Sequence, residues 1–443
     1  MPIRSLVCYP LGKYSSNRDG NGIFISRSQP HFLSGIRLVK RLEIGICEML
    51  ILAIVAGLLS VPVAVLLVEV IAALKAPRLR PFEVEDLKIG ARVAVIVPAH
   101  NESLGLVPTL QDIKAQLGAG DRLVVVADNC TDDTAAVAGA AGAEVIVRND
   151  PERIGKGFAM GWGITHLRQD PPDFVLFVDA DCRLDADLIE GLKRACQGVG
   201  RPVQALFLMR SAENSPVNHS FAAFAWILRN RVRPLGLRNL HCPVQLMGTG
   251  MMFPWNAINA VPLASSHLVE DLKLGLDLAK AGQASYFFPF VKVTSEFPTS
   301  AKGTESQRQR WVQGHLATIG KFFPRLLGAG LMRGDLNVVV LALDLLVPPL
   351  SLLALLIVGT MALTSSVALL GGPWLPSLIA GGNLVGFTLS VLVAWFKFGR
   401  EVFPAHEALS FGSFALKKIR LYSRMLRGGT ASQWVRTDRS TPN

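Results

Sequence analysis

Three long apolar runs divide this chain, and they constrain its fold more than any other feature. The first is Met49 to Leu74, interrupted only by Glu69. The second, Leu336 to Leu363, contains Asp344 and the pair Pro348-Pro349, and the third, Leu375 to Phe396, carries no charge. A helix needs about 20 such residues to cross a bilayer, and buried helices of soluble proteins rarely combine that length with that polarity. All three runs are therefore expected to span a membrane, as helices at 49–74, 336–363 and 375–396.

Basic residues near the membrane ends set the orientation. Lys75, Arg78 and Arg80 follow the first run, Arg325 and Arg333 precede the second, and Lys397, Arg400, Lys417, Lys418 and Arg420 follow the third. The loop from Thr364 to Trp374 has no charge. The middle of the chain and the basic tail 397–443 are thus expected on the cytoplasmic side of the membrane. Three crossings then put the N-terminus outside. That fits poorly with residues 1–48, which hold Arg4, Lys13, Arg18, Arg27, Arg37, Lys40 and Arg41 and have no signal-peptide pattern. The expectation is that this extension is not native and that the natural chain begins at Met49.

The net charge of +11 suits anionic lipid and an anionic small substrate. No basic stripe studded with aromatics is present, so nucleic acid is not expected as a partner. The six cysteines show no Cys-x-x-Cys spacing, which argues against a zinc site and a disulfide framework.

Between the first and second runs the sequence changes character. From Arg92 to Ser300, short β-type runs (Val93–Val97, Leu123–Ala127, Glu144–Val147, Phe174–Val178) alternate with helical patterns at about 106–117 and 134–141. That alternation predicts an α/β domain, at 92–316, with a mostly parallel sheet covered by helices. Ligands of such sheets bind beyond the carboxyl ends of the strands. Three strand ends carry polar groups there: Pro98-Ala99-His100-Asn101-Glu102, Asp128-Asn129 with Asp132 and Asp133, and Asp179-Ala180-Asp181. Period-2 geometry aims Asp179 and Asp181 at one point, where a divalent cation could sit. Asn101, Ser103, Asp132 and Asp133 could equally serve as helix caps. Arg153-Ile154-Gly155-Lys156-Gly157 offers close backbone approach and a cation for phosphate, without P-loop spacing.

With these motifs in this order the chain resembles the family 2 glycosyltransferases of the GT-A fold, over roughly Arg92 to Leu316. The resemblance implies a domain that binds a nucleotide sugar, inserted between transmembrane helices. Pro98, Asn101, Glu102 and Asp128 would hold the nucleoside, expected to be uridine, and Asp179 and Asp181 the diphosphate with its Mg²⁺ or Mn²⁺. Lys156 would offset the diphosphate charge. The family usually has a second acid after Asp128; this chain has Asn129, whose amide can still bond a base edge.

The resemblance extends to the second half of the domain. Gly248-Thr249-Gly250 and Trp255 correspond to an acceptor-side segment, with Trp255 as a sugar-stacking platform. Glu270-Asp271 opens a helical pattern; the resemblance makes Asp271 the general base and gives Glu270 the task of orienting the acceptor. Gln307, Arg310 and Trp311 share one helix face and resemble the Gln-x-x-Arg-Trp signature of membrane-embedded polysaccharide synthases, where it caps the acceptor and holds the leaving diphosphate. A helix at 317–334 is expected to lie along the membrane surface. The tail segment Trp434 to Arg439 also resembles a motif of such synthases. The implied activity is transfer of a sugar from a nucleoside-diphosphate donor to a growing polysaccharide or a lipid-linked acceptor, with membrane lipids and polysaccharide export proteins as partners. A non-processive glycolipid transferase and a silent subunit of a glycan assembly complex are the alternatives.

Overall fold

The structure, a computed structural model, describes residues 31–83, 90–211, 219–264, 267, 269–298, 300–410 and 422. The chain falls into two compact units, 1–51 and 52–443. Residues 1–30 of the N-terminal extension, and all of 411–443 except Tyr422, lie outside the described residues, and so does Trp434 to Arg439.

Helix α1 (His31–Ala73) leads into strand β1 (Val93–Ala99). There follow α2 (Leu106–Lys114), β2 (Arg122–Asp128), α3 (Thr134–Ala140), β3 (Glu144–Arg148), α4 (Lys156–Leu167), β4 (Phe174–Phe177), β5 (Arg183–Leu184) and α5 (Leu188–Val199). Next come β6 (Val203–Arg210), α6 (Ser220–Ile227), α7 (Arg233–Asn239), β7 (Met251–Pro254), α8 (Trp255–Asn259), α9 (Glu270–Lys280) and β8 (Tyr286–Glu296). The chain continues with α10 (Ala301–Arg333), α11 (Leu336–Leu346), α12 (Leu350–Leu369) and α13 (Leu375–Ala394).

The strands form one sheet in the order β3-β2-β1-β4-β7-β6-β8-β5. β1 pairs in parallel with β2 and β4, β2 with β3, and β6 with β8. β7 runs antiparallel to both β4 and β6, and β5 antiparallel to β8. Alternate residues of the apolar strands feed two cores, as period 2 requires. Val95, Val97, Val125 and Leu176 pack on one face with Leu110 of α2 and Leu192 of α5. Ile96, Val126, Val175 and Phe177 pack on the other with Met160 and Ile164 of α4 and Leu278 of α9. Complete burial of a side chain such as Phe177 contributes about 1.5–3 kcal/mol relative to exposure. The cores fix the sheet rigidly, so the carboxyl ends of β1, β2 and β4 emerge along one rim.

Three helical stretches are long and apolar enough to cross a membrane: Met49–Ala73, Leu350–Leu369 and Leu375–Gly399. The second differs from the run read in the sequence. Pro348 and Pro349 provide no backbone donors and disfavour helix before them, so 336–363 breaks into α11 and α12. α11 packs against the α/β domain, with Val338, Ala342 and Leu345 against Leu272 and Leu276 of α9. The expected helix at 317–334 is likewise no separate element. It is the second half of α10, continuous with Gln307–Trp311, and its Phe322 and Leu326 are buried in the same cluster. Phe322 and Leu326 of that apolar face are covered by protein, while Leu331 and Met332 near its end are exposed.

α1, α6, α7, α12 and the end of α13 share a further core around Leu66, Val70, Leu228, Leu235, Leu353 and Ala394. Within it Arg233 donates to Glu69 of α1 at 2.6 Å and to Asp344 of α11 at 2.5 Å. Asp344, a costly residue in an apolar run, thus has its partner on α7.

Candidate active site

One cavity has its wall made by residues that follow β1 and β2. Pro98, His100 and Glu102 line it with Asp128, beside Lys156, Asp179, Asp181 and Arg310, around about 170 Å³. The carboxylate of Asp128 is buried and accepts from Arg148 at 2.5 Å. Burial raises its pKa against the lowering pull of that guanidinium. His100 Nδ1 lies 2.7 Å from the Asp128 carbonyl, tying the two loops together.

Asn101 and Asn129 are not among the residues lining the cavity. Both have a left-handed backbone, φ 55° and 52°, a conformation that asparagine tolerates. Asn101 Oδ1 accepts from the Thr131 amide at 2.7 Å, and Asn129 Oδ1 from the Asp150 amide at 2.7 Å. Each amide side chain is engaged in bracing a neighbouring loop.

β4 stops at Phe177, so Asp179 and Asp181 lie in the turn beyond it rather than on extended chain. The turn still brings their carboxylates together, within 4.8 Å of each other and of Cys182 Sγ. The Asp179 amide donates to Thr249 Oγ1 at 3.1 Å, and Asp181 accepts from Ser295 Oγ at 2.6 Å. Burial pushes the Cys182 thiol up to about 12, so it stays protonated at neutral pH. Hard cations take oxygen ligands; the donor set that fits Mg²⁺ or Mn²⁺ is therefore Asp179 with Asp181, without Cys182.

Lys156, the first residue of α4, joins the two halves of the site. It pairs with Asp179, donates to the Gly248 carbonyl at 2.7 Å and lies 3.8 Å from Glu270. Burial opposes its charge, but Asp179 and Glu270 outweigh burial and raise its pKa.

An adjoining cavity of about 180 Å³ shares Lys156, Asp179, Asp181 and Arg310 with the first. Gly248, Glu270, Asp271, Gln307 and Trp311 line it. Glu270 and Asp271 open α9. Burial raises both, Glu270 to about 7, while Lys156 pulls both down. Burial lowers the Arg310 pKa, with Glu270 and Asp179 opposing. Gly248 has φ +96°, and a Cβ there would stand 3.2 Å from Asp271 Oδ2. Gly250 has φ +64°, and a Cβ would press to 2.9 Å from Val293. Gly250 and Thr249 lie behind the cavity wall and set its backbone.

Trp255 does not join this group. β7 runs antiparallel to β4, with Met251 opposite Phe177 and Pro254 opposite Phe174. It carries Trp255 to the far end of β4, where its amide donates to Asp173. The aromatic partner of Trp311 is instead Trp226 of α6, with ring centroids 4.8 Å apart. Trp226 and Arg229 line the same cavity as Asp271, and the sequence did not single them out because they lie in a helical run without a motif. Arg148 was more findable, since it ends a strand on the same rim. Gln204, a lone amide in the apolar run of β6, is fully buried; it accepts from the Met247 amide and donates to the Thr249 carbonyl, holding the glycine loop.

The family described as "Glycosyltransferase like family 2" matches residues 91–314. An uncharacterized glycosyltransferase of Mycobacterium tuberculosis is 30% identical over 192 residues, which cover 38% of this chain and 83% of that protein. Glucosyl-3-phosphoglycerate synthase of Mycolicibacterium smegmatis is 30% identical over 206 residues, 42% of this chain and 64% of the synthase. Among solved structures, the mannosyltransferase PcManGT of Pyrobaculum calidifontis, in complex with GDP-Man and Mn²⁺, superposes with a TM-score of 0.46 at 19% identity. The superposition covers 78% of this chain and 99% of that one.

Proposed function

Because this chain belongs to glycosyltransferase family 2, we propose that it is a membrane-bound, inverting enzyme that moves a sugar from a nucleoside diphosphate, UDP by expectation, to a glycan or lipid-linked acceptor. Its place is the bacterial inner membrane, with the catalytic unit cytoplasmic, and its product is an exopolysaccharide or cell-surface glycan. The three apolar helices support the membrane assignment. The observation that carries the activity is that Lys156, Asp179, Glu270, Asp271 and Arg310 line one cavity.

The nucleoside lies against Pro98, His100 and Asp128, and the diphosphate points toward Lys156. Asp179 and Asp181 would hold Mg²⁺ or Mn²⁺, which when bound supplies positive charge beside the diphosphate. Lys156 and Arg310 stabilise the negative charge that grows on the leaving group. Asp271 takes the proton of the acceptor; its raised pKa brings it nearer to neutral pH, where a general base works best. Glu270 orients the acceptor, and Trp311 and Trp226 offer it an aromatic wall. Displacement in one in-line step inverts the anomeric carbon.

The test is incubation of membranes containing the protein with labelled nucleotide sugars and Mg²⁺ or Mn²⁺, beside Asp271→Asn. Label in polymer or in organic extract that depends on Asp271 supports the reading. Absence of any Asp271-dependent transfer in folded protein overturns it.

A further inference from the structure

A groove of about 500 Å³ runs along the outer face of α4, apart from the active site. Its volume lies within the range of small-molecule sites, and it shares no lining residue with the two cavities around Lys156. Helical spacing builds its floor. Phe158, Gly161, Trp162, Thr165 and Arg168 fall at i, i+3, i+4, i+7 and i+10 and so share one face, while Ala159, Met160 and Leu167 pack toward the sheet. One wall is the loop 261–264 after α8. It comes close because residue 161 is glycine: a Cβ there would stand 3.4 Å from the Ala264 amide nitrogen. The other wall is the end of β3 with the loop 149–153.

The lining joins an exposed aromatic to hydrogen-bonding groups of both kinds. Trp162 is 47% exposed, although a tryptophan gains more from burial than almost any other side chain. Arg168 donates through Nε to Asn259 Oδ1 at 2.9 Å, which fixes its guanidinium at the foot of the groove. Thr165 Oγ1 donates to the Gly161 carbonyl at 3.0 Å and keeps its lone pairs as acceptors. At the head the charges are matched within the protein. Arg148 pairs with Asp128 and Asp150, and Asp150 also pairs with Arg153 at 2.7 Å.

We propose that this groove is an accessory binding site for a neutral oligosaccharide. A pyranose ring has C–H bonds on its faces and hydroxyls around its edge. The faces suit the electron-rich face of an indole, and the hydroxyls donate to Asn149 and Asp150 while accepting from Arg168. A phosphate at the head would meet the Asp150 carboxylate. A hydrocarbon chain would strand the polar groups without partners. The binding follows from the groove alone, whereas its use rests on the glycosyltransferase reading above. On that reading the groove holds an acceptor glycan at a second point and raises its effective concentration at the active site.

The test is calorimetric titration of the purified full chain, in a detergent without a sugar headgroup and with no donor present. The probes are neutral hexaoses of glucose, mannose and N-acetylglucosamine, a sulfated glucose hexaose and inorganic pyrophosphate. At least one neutral hexaose is expected to bind. Trp162→Ala should weaken that binding about tenfold or more, the loss of an anchoring aromatic, and Trp162→Phe should restore much of it. Arg168→Ala should weaken it by a smaller factor. Nucleotide binding reports folding for each variant. Hexaose binding that none of these substitutions alters, or no binding at all, overturns the inference and leaves the glycosyltransferase reading intact. Preference of the Trp162-dependent site for the sulfated hexaose or for pyrophosphate overturns the neutral assignment. Transfer assays then separate the two sources of glycan. A KM that Trp162→Ala raises for a hexaose acceptor and not for a monosaccharide acceptor assigns the groove to the acceptor chain. An unchanged KM beside Trp162-dependent binding supports the groove as a site for a free glycan. Trp162-dependent binding with no transfer from any donor supports the groove and defeats the transferase reading alone.

Discussion

The ammonium group of Lys156 donates to the carbonyl of Gly248 at 2.7 Å, so a residue at the start of α4 ties down the glycine loop beside Asp271. One cation thereby touches Asp179 and the Gly248 loop at once. Lys156→Met should lower kcat by about 10²–10³, the loss typical of one preorganised donor at a developing charge. Steady-state transfer assays check it. Lys156→Arg should rescue little, because a planar fork does not replace a compact ammonium here.

Gly248→Ala should impair the same loop from the other side. The added Cβ would meet Asp271 Oδ2 at 3.2 Å on a backbone with φ +96°. A cost of about 1 kcal/mol in stability is expected from the backbone alone, with a larger loss in kcat because Asp271 must move. Thermal unfolding and transfer rate, measured together, separate the two effects.

Asp271→Asn should reduce kcat by about 10²–10⁴, the usual contribution of a positioned base, and leave donor affinity nearly unchanged. The pH profile carries a further sign. Burial raises both Asp271 and Glu270, the latter to about 7 from an ordinary 4.5, so the acid limb of activity should fall above the normal carboxylate range. These raised acids favour folding at low pH, and that contribution is lost as pH rises from about 4.5 through about 7. Glu270→Gln removes a like charge and should shift the acid limb toward lower pH.

Chelation should abolish transfer, and Mg²⁺ or Mn²⁺ should restore it. Asp181 is oriented by Ser295 Oγ at 2.6 Å. Ser295→Ala should therefore raise the metal concentration needed for half-activation by about tenfold, the lower end for loss of a supporting hydrogen bond to a ligand. An unchanged activation constant would remove Asp181 from the metal site.

Arg238 and Glu83 form an ion pair at 2.8 Å that is almost wholly buried, and Tyr286 donates its hydroxyl to the same carboxylate. Arg238→Met should destabilise the protein by about 3–5 kcal/mol, because it strands the carboxylate. Unfolding in detergent measures the loss.

The sequence made the donor rim legible because parallel strands bring polar residues to one edge by topology alone. Asp128, Asp179 and Asp181 could thus be placed without coordinates. Asn101 and Asn129 could not be told from ligands, since an amide that braces a loop and one that binds a base have the same composition. Trp255 stands apart from the cavity because β7 runs antiparallel to β4, a direction that local pattern does not encode. The Pro348-Pro349 break was visible, but hydropathy averages across it and merged α11 with α12. Trp226 and Arg229 depend on the packing of α6 against α10, which no local motif signals.

Arg233 follows the π-helical turn directly and grips Glu69 on α1 and Asp344 on α11. In mechanical terms this is a load path. A push on α1 reaches α7 through one guanidinium, only four residues from Arg229, while α11 resists from the far side. A shift of α1 against α11 would thus load the turn that carries Arg229 at the edge of the cavity holding Asp271.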